Sequence, residues 1–305
     1  MFATRPITGA GFDAPQLKSM VKIVVYLVCV SSFLLVNETP AMTQAEATAQ
    51  VDSAVQTLGE GMIRGDVELA LKGCDTNDAD WLAAQRLVVE EVHAKLTGHP
   101  ATLFHTWGYT APGSPHEVTT YVYGGVLAVY DSLAREIIHA EPYRAQFQEG
   151  RFRLLPPPTD RISQINFRQD LGGIYQRELG MGEKALEIWT QVLEELPEED
   201  TRRRMQAYVG IAAVHEEQKD YATAYATYEK GLKLMKKGHS YGAIEIAGKQ
   251  VVVNQQEGVM YKMARCALAA GWADKTRALC ERLAHSPSEE LVSAANQMMA
   301  KLKSD

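Results

Sequence analysis

The chain of 305 residues is short of several things that would place it in a class at once. Its N-terminal apolar run, Ile23 to Val36, is 14 residues long, under the roughly 20 needed to span a bilayer as a helix. Only four cysteines occur, Cys29, Cys74, Cys266 and Cys280. They are too few and too unevenly spaced for a disulfide framework or a paired-cysteine metal site. Cys266 and Cys280 fall on opposite helices of one expected hairpin and read as buried thiols, a common fate of free cysteine, with a disulfide between them the alternative in an oxidising compartment. Positive charge is also scarce. The net charge is −7 with a pI near 5.7, and Arg202-Arg203-Arg204, the one basic cluster, reads as a solvated helix start, so no footprint for nucleic acid is present.

The chemistry-bearing motifs are missing as well. There is no GxSxG, HExxH, GxGxxG or phosphate-binding loop; Gly180-Met-Gly-Glu-Lys184 has neither the spacing nor the Ser/Thr of the last. His93, His99, His105 and His116 cluster in sequence, but their spacing fits no ligand pattern. Asp75 to Asp80 has the acidity of a calcium loop, yet it lacks the central glycine, and Arg86 stands where the bidentate Glu belongs. Asp78 or Asp80 as a helix cap accounts for it. No catalytic residue, metal ligand, nucleic-acid partner or small-molecule cofactor is assigned, and the chain reads as a non-enzyme. An active site, if there were one, would have to lie in residues 43–155.

What is present begins with an export signal. Lys18 and Lys22 precede the apolar run, polar Asn37-Glu38-Thr39 follows it, and small residues offer cleavage after Ala41 or Ala47. Residues 1–41 therefore read as a signal peptide, of ordinary length if translation starts at Met20. An exported protein, periplasmic or extracellular, is expected; the alternative is a membrane anchor formed by residues 21–36 and left uncleaved. Hydrophobic content of 46% over this length gives material for about two domains.

Residues 43–155 read as helical. Residues 43–75 form one stretch, and a second helix carries the stripe Trp81, Ala84, Val88, Val92, Leu96 and ends near Gly98. His99 to Gly113, with Pro100, Gly108, Pro112 and Gly113 among aromatics, reads as a packed loop. Ser114-Pro115-His116-Glu117 looks like a capping box opening a helix whose stripe is Val118, Val122, Val126, Val129, Leu133 and Ile137. Gly124-Gly125 inside that helix suggests the close approach of another backbone. Pro156-Pro157-Pro158 cannot continue a helix and marks a domain boundary.

Beyond the prolines, a pattern recurs. Leu171-Gly172, Tyr175, a Gly180-Met-Gly182 turn, Ala185, Trp189, Val192 and Pro197 form one unit, with one residue too many in the turn. Tyr208, Ile211-Ala212, His215, Tyr221, Ala224, Tyr228 and Gly231 form a second without insertion. Met260, Met263-Ala264, Gly271, Thr276, Cys280, Leu283 and Pro287 form a third. These stretches resemble the tetratricopeptide repeat family, whose 34-residue helix-turn-helix units set small residues against large ones. The resemblance covers roughly residues 165–287. The slots Ala185, Ala224 and Thr276 stand 39 and 52 residues apart, so the connections are longer than the period. Longer helices, including one over Ala243 to Val253, are expected to absorb the excess. Ser286-Pro287-Ser288-Glu289 opens a last amphipathic helix that caps the stack.

The expected fold is all-α, a helix-turn-helix solenoid over residues 159–305 preceded by a helical N-terminal region over 43–155. The resemblance implies a scaffold holding a protein or peptide ligand in the concave face lined by its first helices. By register, the residues facing that ligand would be Arg177, Tyr261 and Arg265 foremost, with Gln169, Gln176, Glu216 and Glu217, and beside them Asn166 and Gln206. The alternative is a structural subunit of a cell-envelope assembly. A fragment starting near Pro158 is expected to fold by itself.

Overall fold

The computed structural model of the chain describes residues 42–106, 108–110, 119, 122–235 and 241–304. The expected signal peptide, the Ser114 helix start and His116 lie outside the described residues. The chain divides into Met1–Glu46 and Ala47–Asp305. In the first unit, Thr43 and Glu46 satisfy each other reciprocally, Thr43 N and Oγ1 donating to Oε2 at 2.7 and 2.9 Å and Glu46 N donating back to Oγ1 at 3.2 Å, a capping box.

The helical start is as expected: α1 (Gln44–Arg64), a one-turn α2 (Val67–Leu71) and α3 (Ala79–Leu96). Asp66 and Asp78 accept hydrogen bonds from Leu69 N and Trp81 N, so the acidic run does cap a helix. The buried face of α3 is Gln85, Val89, Val92 and Leu96, turned by about one residue from the stripe read off the sequence. Among the described residues no helix is long and apolar enough to cross a membrane.

The all-α expectation fails next. Residues 101–155 build a curled antiparallel sheet from β1 (Ala101–His105), β2 (Gly108–Thr110), β3 (Val122–Asp131), β4 (Glu136–Gln148) and β5 (Arg151–Leu155). The strand order is β1-β3-β4-β5, with β2 alongside the first half of β3. From Val122 to Ile137 the stripe assigned to a helix is instead strand, turn and strand; Val118 lies outside the described residues. Its apolar residues are mostly β-branched, which favours a pleated surface, and Leu133, counted as core, is 66% exposed at the hairpin tip. Asp131 closes that tip by accepting from Leu133 N and Ala134 N at 2.8 and 2.9 Å. Part of the expected loop from His99 to Gly113 is β1 and β2.

One sheet face meets α1 and α3: the methyl carbons of Leu103 occupy the place where Gly59 would carry a Cβ, and Gln85 Nε2 donates to Glu141 Oε2 at 3.1 Å. The other face, Val126 and Ala128 with Phe104 and Ala140 beside them, packs on Ile174, Phe167 and Leu179 of the helices that follow.

Those helices pair consecutively: α4 (Arg161–Gly173), α5 (Gly182–Glu195), α6 (Thr201–Glu217), α7 (Tyr221–Leu234), α8 (Gln255–Ala269), α9 (Ala273–Leu283) and α10 (Glu289–Ser304). The three expected hairpins are α4–α5, α6–α7 and α8–α9. Asp160, Asp200, Asp220 and Asn254 cap the starts of α4, α6, α7 and α8. Trp189 fills the space between α4 and α6, its ring 3.0 and 2.5 Å from where Gly172 and Gly210 would carry a Cβ. The extra residue in the first unit is not in its turn. It is taken up by a π-helical turn, Ile174–Glu178, which holds one more residue per turn than an α-helix.

The excess between the second and third hairpins is a β-hairpin, β6 (Tyr241–Ile246) and β7 (Lys249–Asn254), not the helix expected over Ala243 to Val253. Ala247 and Gly248 both have positive φ, 49° and 79°, the backbone that a two-residue hairpin turn requires. Cys74, Cys266 and Cys280 are buried free thiols.

Candidate functional site

The residues assigned to ligand contact by register do come together, since α4 with its π turn, α6 and α8 are the first helices of the three hairpins. Their side chains, however, are largely engaged with one another. Gln169 is buried and its Nε2 donates to Arg203 O at 3.1 Å, tying α4 to α6. Gln176, also buried, donates to Glu217 Oε1 at 2.9 Å across the same pair. Glu216 ties α6 to α8, lying 3.1 Å from Arg265 Nη2 and accepting from Tyr228 Oη at 2.9 Å. Tyr261 is only 8% exposed and belongs to the core. Arg177 folds back over its own helix, its Nη2 2.8 Å from where Gly173 would carry a Cβ. Buried polar groups must be paired, and these pairs are what lets successive inner helices lie side by side.

The open space lies beside them, in a cleft of about 620 Å³ between the sheet and the first turns of α4 and α6. Val122 to Gly125 of β3, Pro142 to Arg144 of β4, Phe167 and Asp170 of α4, and Arg202 and Gln206 of α6 line it. Gly124 pairs with Arg144 in register and shares the face of Val126 and Ala128 by strand alternation. Its missing side chain therefore leaves room over the sheet.

Three arginines and one aspartate line the cleft. Arg203 is held by Asp200 at 2.8 Å and donates to Asn166 Oδ1 at 2.9 Å. Arg204, outside the cleft, is spent on the carbonyls of Leu193 and Leu196. Arg202 is exposed. Arg144 has no ion-pair partner among the described residues, and its Nε is buried there without a hydrogen-bond acceptor. An unpaired buried donor is costly to leave unmade, so an acceptor arriving in the cleft would be held.

No known protein family and no curated protein matches this chain.

On the cleft wall, Asp170, exposed at its own surface, hydrogen-bonds the Thr106 hydroxyl, and its carboxyl is pushed up to about 6. Desolvation by the surrounding walls is the larger cause, partly offset by the Arg177 charge and the Thr106 hydrogen bond. The carboxyl still touches the cleft and so stays wetted; the walls crowd its surroundings more than its own surface. Tyr143 donates to Thr106 O at 2.8 Å, and burial raises its phenol well above the ordinary range, so it stays a donor at neutral pH. The histidines serve as links. His93 Nδ1 lies 2.9 Å from Ile63 O, His99 Nδ1 2.8 Å from Asp131 and His105 Nε2 3.2 Å from Asp52.

A carboxyl whose folded-state pKa is raised binds protons in the folded state that the unfolded chain has released. Its charged form opposes folding above about 6, and the penalty fades as pH falls toward its ordinary value. Asp170→Asn should therefore raise Tm at pH 8, with the difference from wild type closing by pH 4. Thermal melts across that pH range check this; a constant difference would mean that the carboxyl is not desolvated.

Sequence reasoning missed Arg144 and Asp170. Arg144 belongs to a strand that was not recognised, and nothing in its neighbourhood marks it out. Arg202 was visible in the basic run, but only the tertiary structure separates it from Arg203 and Arg204, which are engaged.

Proposed function

We propose that this chain is an exported scaffold of the tetratricopeptide type that holds an acidic segment of another protein in the cleft between its sheet and its inner helices. Arg144, which lines the cleft with Arg202 and has no ion-pair partner among the described residues, carries the proposal. Further support comes from the N-terminus of α6, which brings Arg202 and Arg203 to the same cleft and adds the positive end of a helix dipole. The absent side chain at Gly124 leaves space for a backbone against the sheet. Export rests on the charged, apolar and small-residue order of residues 18–47, and N-terminal sequencing of the natural protein that begins at Met1 or Met20 would remove it.

Affinity isolation of the protein from its own cells, compared with Arg144→Ala/Arg202→Ala, tests the binding. The double variant should lose partner capture at least tenfold without a fall in Tm, because Arg202 is exposed and removing Arg144 also removes an unpaired buried donor, whereas arginine anchors dominate interfaces. Gly124→Val should do the same by filling the cleft. Its Cβ would lie 3.4 Å from Tyr143 O, an ordinary contact, and valine suits a strand. Equal capture by all three proteins would place the binding surface elsewhere.

A further inference from the structure

A second, smaller cavity lies between α6, α8 and the β6–β7 hairpin, with a volume of about 210 Å³. Its walls are apolar, formed by Met205, Val209, Met235, Ile244, Val253 and Val259 among others. Gly258 forms part of the wall where α8 meets the hairpin: a Cβ there would lie 3.1 Å from Ile244 Cγ2. The hairpin is the insertion that the repeat period does not account for. It thus contributes two walls of a pocket that a plain stack of hairpins would lack.

One charged residue, Lys262, lines this cavity. It is half-buried, and no carboxylate lies within ion-pair distance of it among the described residues. The acidic groups nearest in charge to it are already taken, Glu216 by Arg265 and Tyr228 and Glu217 by Gln176. What Lys262 does have is the face of Tyr228, with Nζ 5.8 Å from the ring centre, near the limit at which such a contact contributes. Desolvation lowers the pKa of its ammonium, with Glu216 acting the other way. Glu216 and Glu217 act on it only from beyond ion-pair distance, so the ammonium is a cation that has no paired counter-ion among the described residues. Burial of an ammonium without one is unfavourable, and an arriving anion relieves that.

We propose that this cavity binds a small monocarboxylic acid, its apolar tail among Met205, Val209, Ile244 and Val253 and its carboxylate at Lys262. The size sets the class. The cavity is smaller than the roughly 300 Å³ at which pockets for drug-sized ligands begin, so a tail of a few carbons fits and a long acyl chain does not. The proposal is independent of the scaffold reading and uses none of the cleft arginines. Gln206 borders both cavities, so an occupied small pocket would lie next to the cleft.

Calorimetric titration of the protein with butanoate, hexanoate, octanoate and hexan-1-ol tests this. Affinity should rise from butanoate to hexanoate and stop rising by octanoate, and hexan-1-ol should bind at least tenfold more weakly than hexanoate. Lys262→Met, which keeps an unbranched stem and removes the charge, should weaken hexanoate at least tenfold in a protein whose Tm is no lower than the unaltered one's. Val209→Phe should do so by filling the cavity while leaving partner capture through Arg144 and Arg202 intact. The proposal is overturned if none of the acids binds saturably at millimolar concentration, if the alcohol binds as well as the acid, or if the charge at position 262 makes no difference to a folded protein. The ligand comparison on the unaltered protein decides the matter even if a variant fails to fold.

Discussion

Ala224→Trp is expected to abolish folding of the helical hairpins, seen as loss of the cooperative melt. Ala224 has no exposed surface and lies in the core cluster shared by α6, α7 and α8, with Ala212 and Tyr228, neither of which is exposed either. Its smallness is what lets α7 approach. Adding even a methylene to a filled core costs about 1–3 kcal/mol, and an indole demands far more room than that. The whole margin of a domain of this size is about 5–15 kcal/mol. Val252→Thr supplies the contrast: Val252 is 70% exposed on β7, so its replacement should stay within about 0.5 kcal/mol. Circular dichroism melts of both variants check the pair, and a native-like melt of Ala224→Trp would show that the packing around α7 is not as described.

Tyr261→Ala is expected to lower stability by about 3–5 kcal/mol, the range for truncating a large buried aromatic side chain. Tyr261 packs into the same core through α8, with the Arg265 guanidinium 5.8 Å from its ring centre. By its place in the repeat it was expected to face a ligand, and replacing it together with Arg177 and Arg265 would then have left the fold alone. In the structure the three positions differ. Arg177→Ala should change Tm little, and Arg265→Ala should cost modestly through Glu216, since Arg265 is half-exposed. Denaturant titration of the three single variants separates them, and equal midpoints would contradict the burial of Tyr261.

The fragment starting near Pro158 also looks different once the sheet is seen. Ile174, 1% exposed, is buried in one cluster with Val126 and Ala128 of the sheet, with Phe167 and Leu179 alongside. Cutting at the prolines would bare that face of α4, so the hairpins beyond depend on the sheet for one side of their first helix.

The helical hairpins were legible because their signals are local. Aspartate caps, glycine at helix ends and small residues opposite large ones act within one turn or across one tight pair of helices, and Ala185, Ala224, Trp189 and Tyr228 are all buried where the pattern placed them. The sheet was not legible, although residues 122–131 and 241–254 carry the β-branched residues that favour it. Val122, Val126 and Val129 recur at intervals a helix also produces, and a strand buried on both faces shows no alternation to set against that. Only the partners at either face, α1 and α3 on one and α4 on the other, decide that these residues lie flat. The same limit governed the site. Sequence by itself determined which residues stand on the inner helices, since register follows from helical period. Which of them are free was decided by tertiary structure, because whether a charge is spent depends on what the neighbouring element brings: Glu216 reaches Arg265 and not Lys262, and a strand unrecognised in the sequence brings Arg144 to the cleft with no ion-pair partner among the described residues.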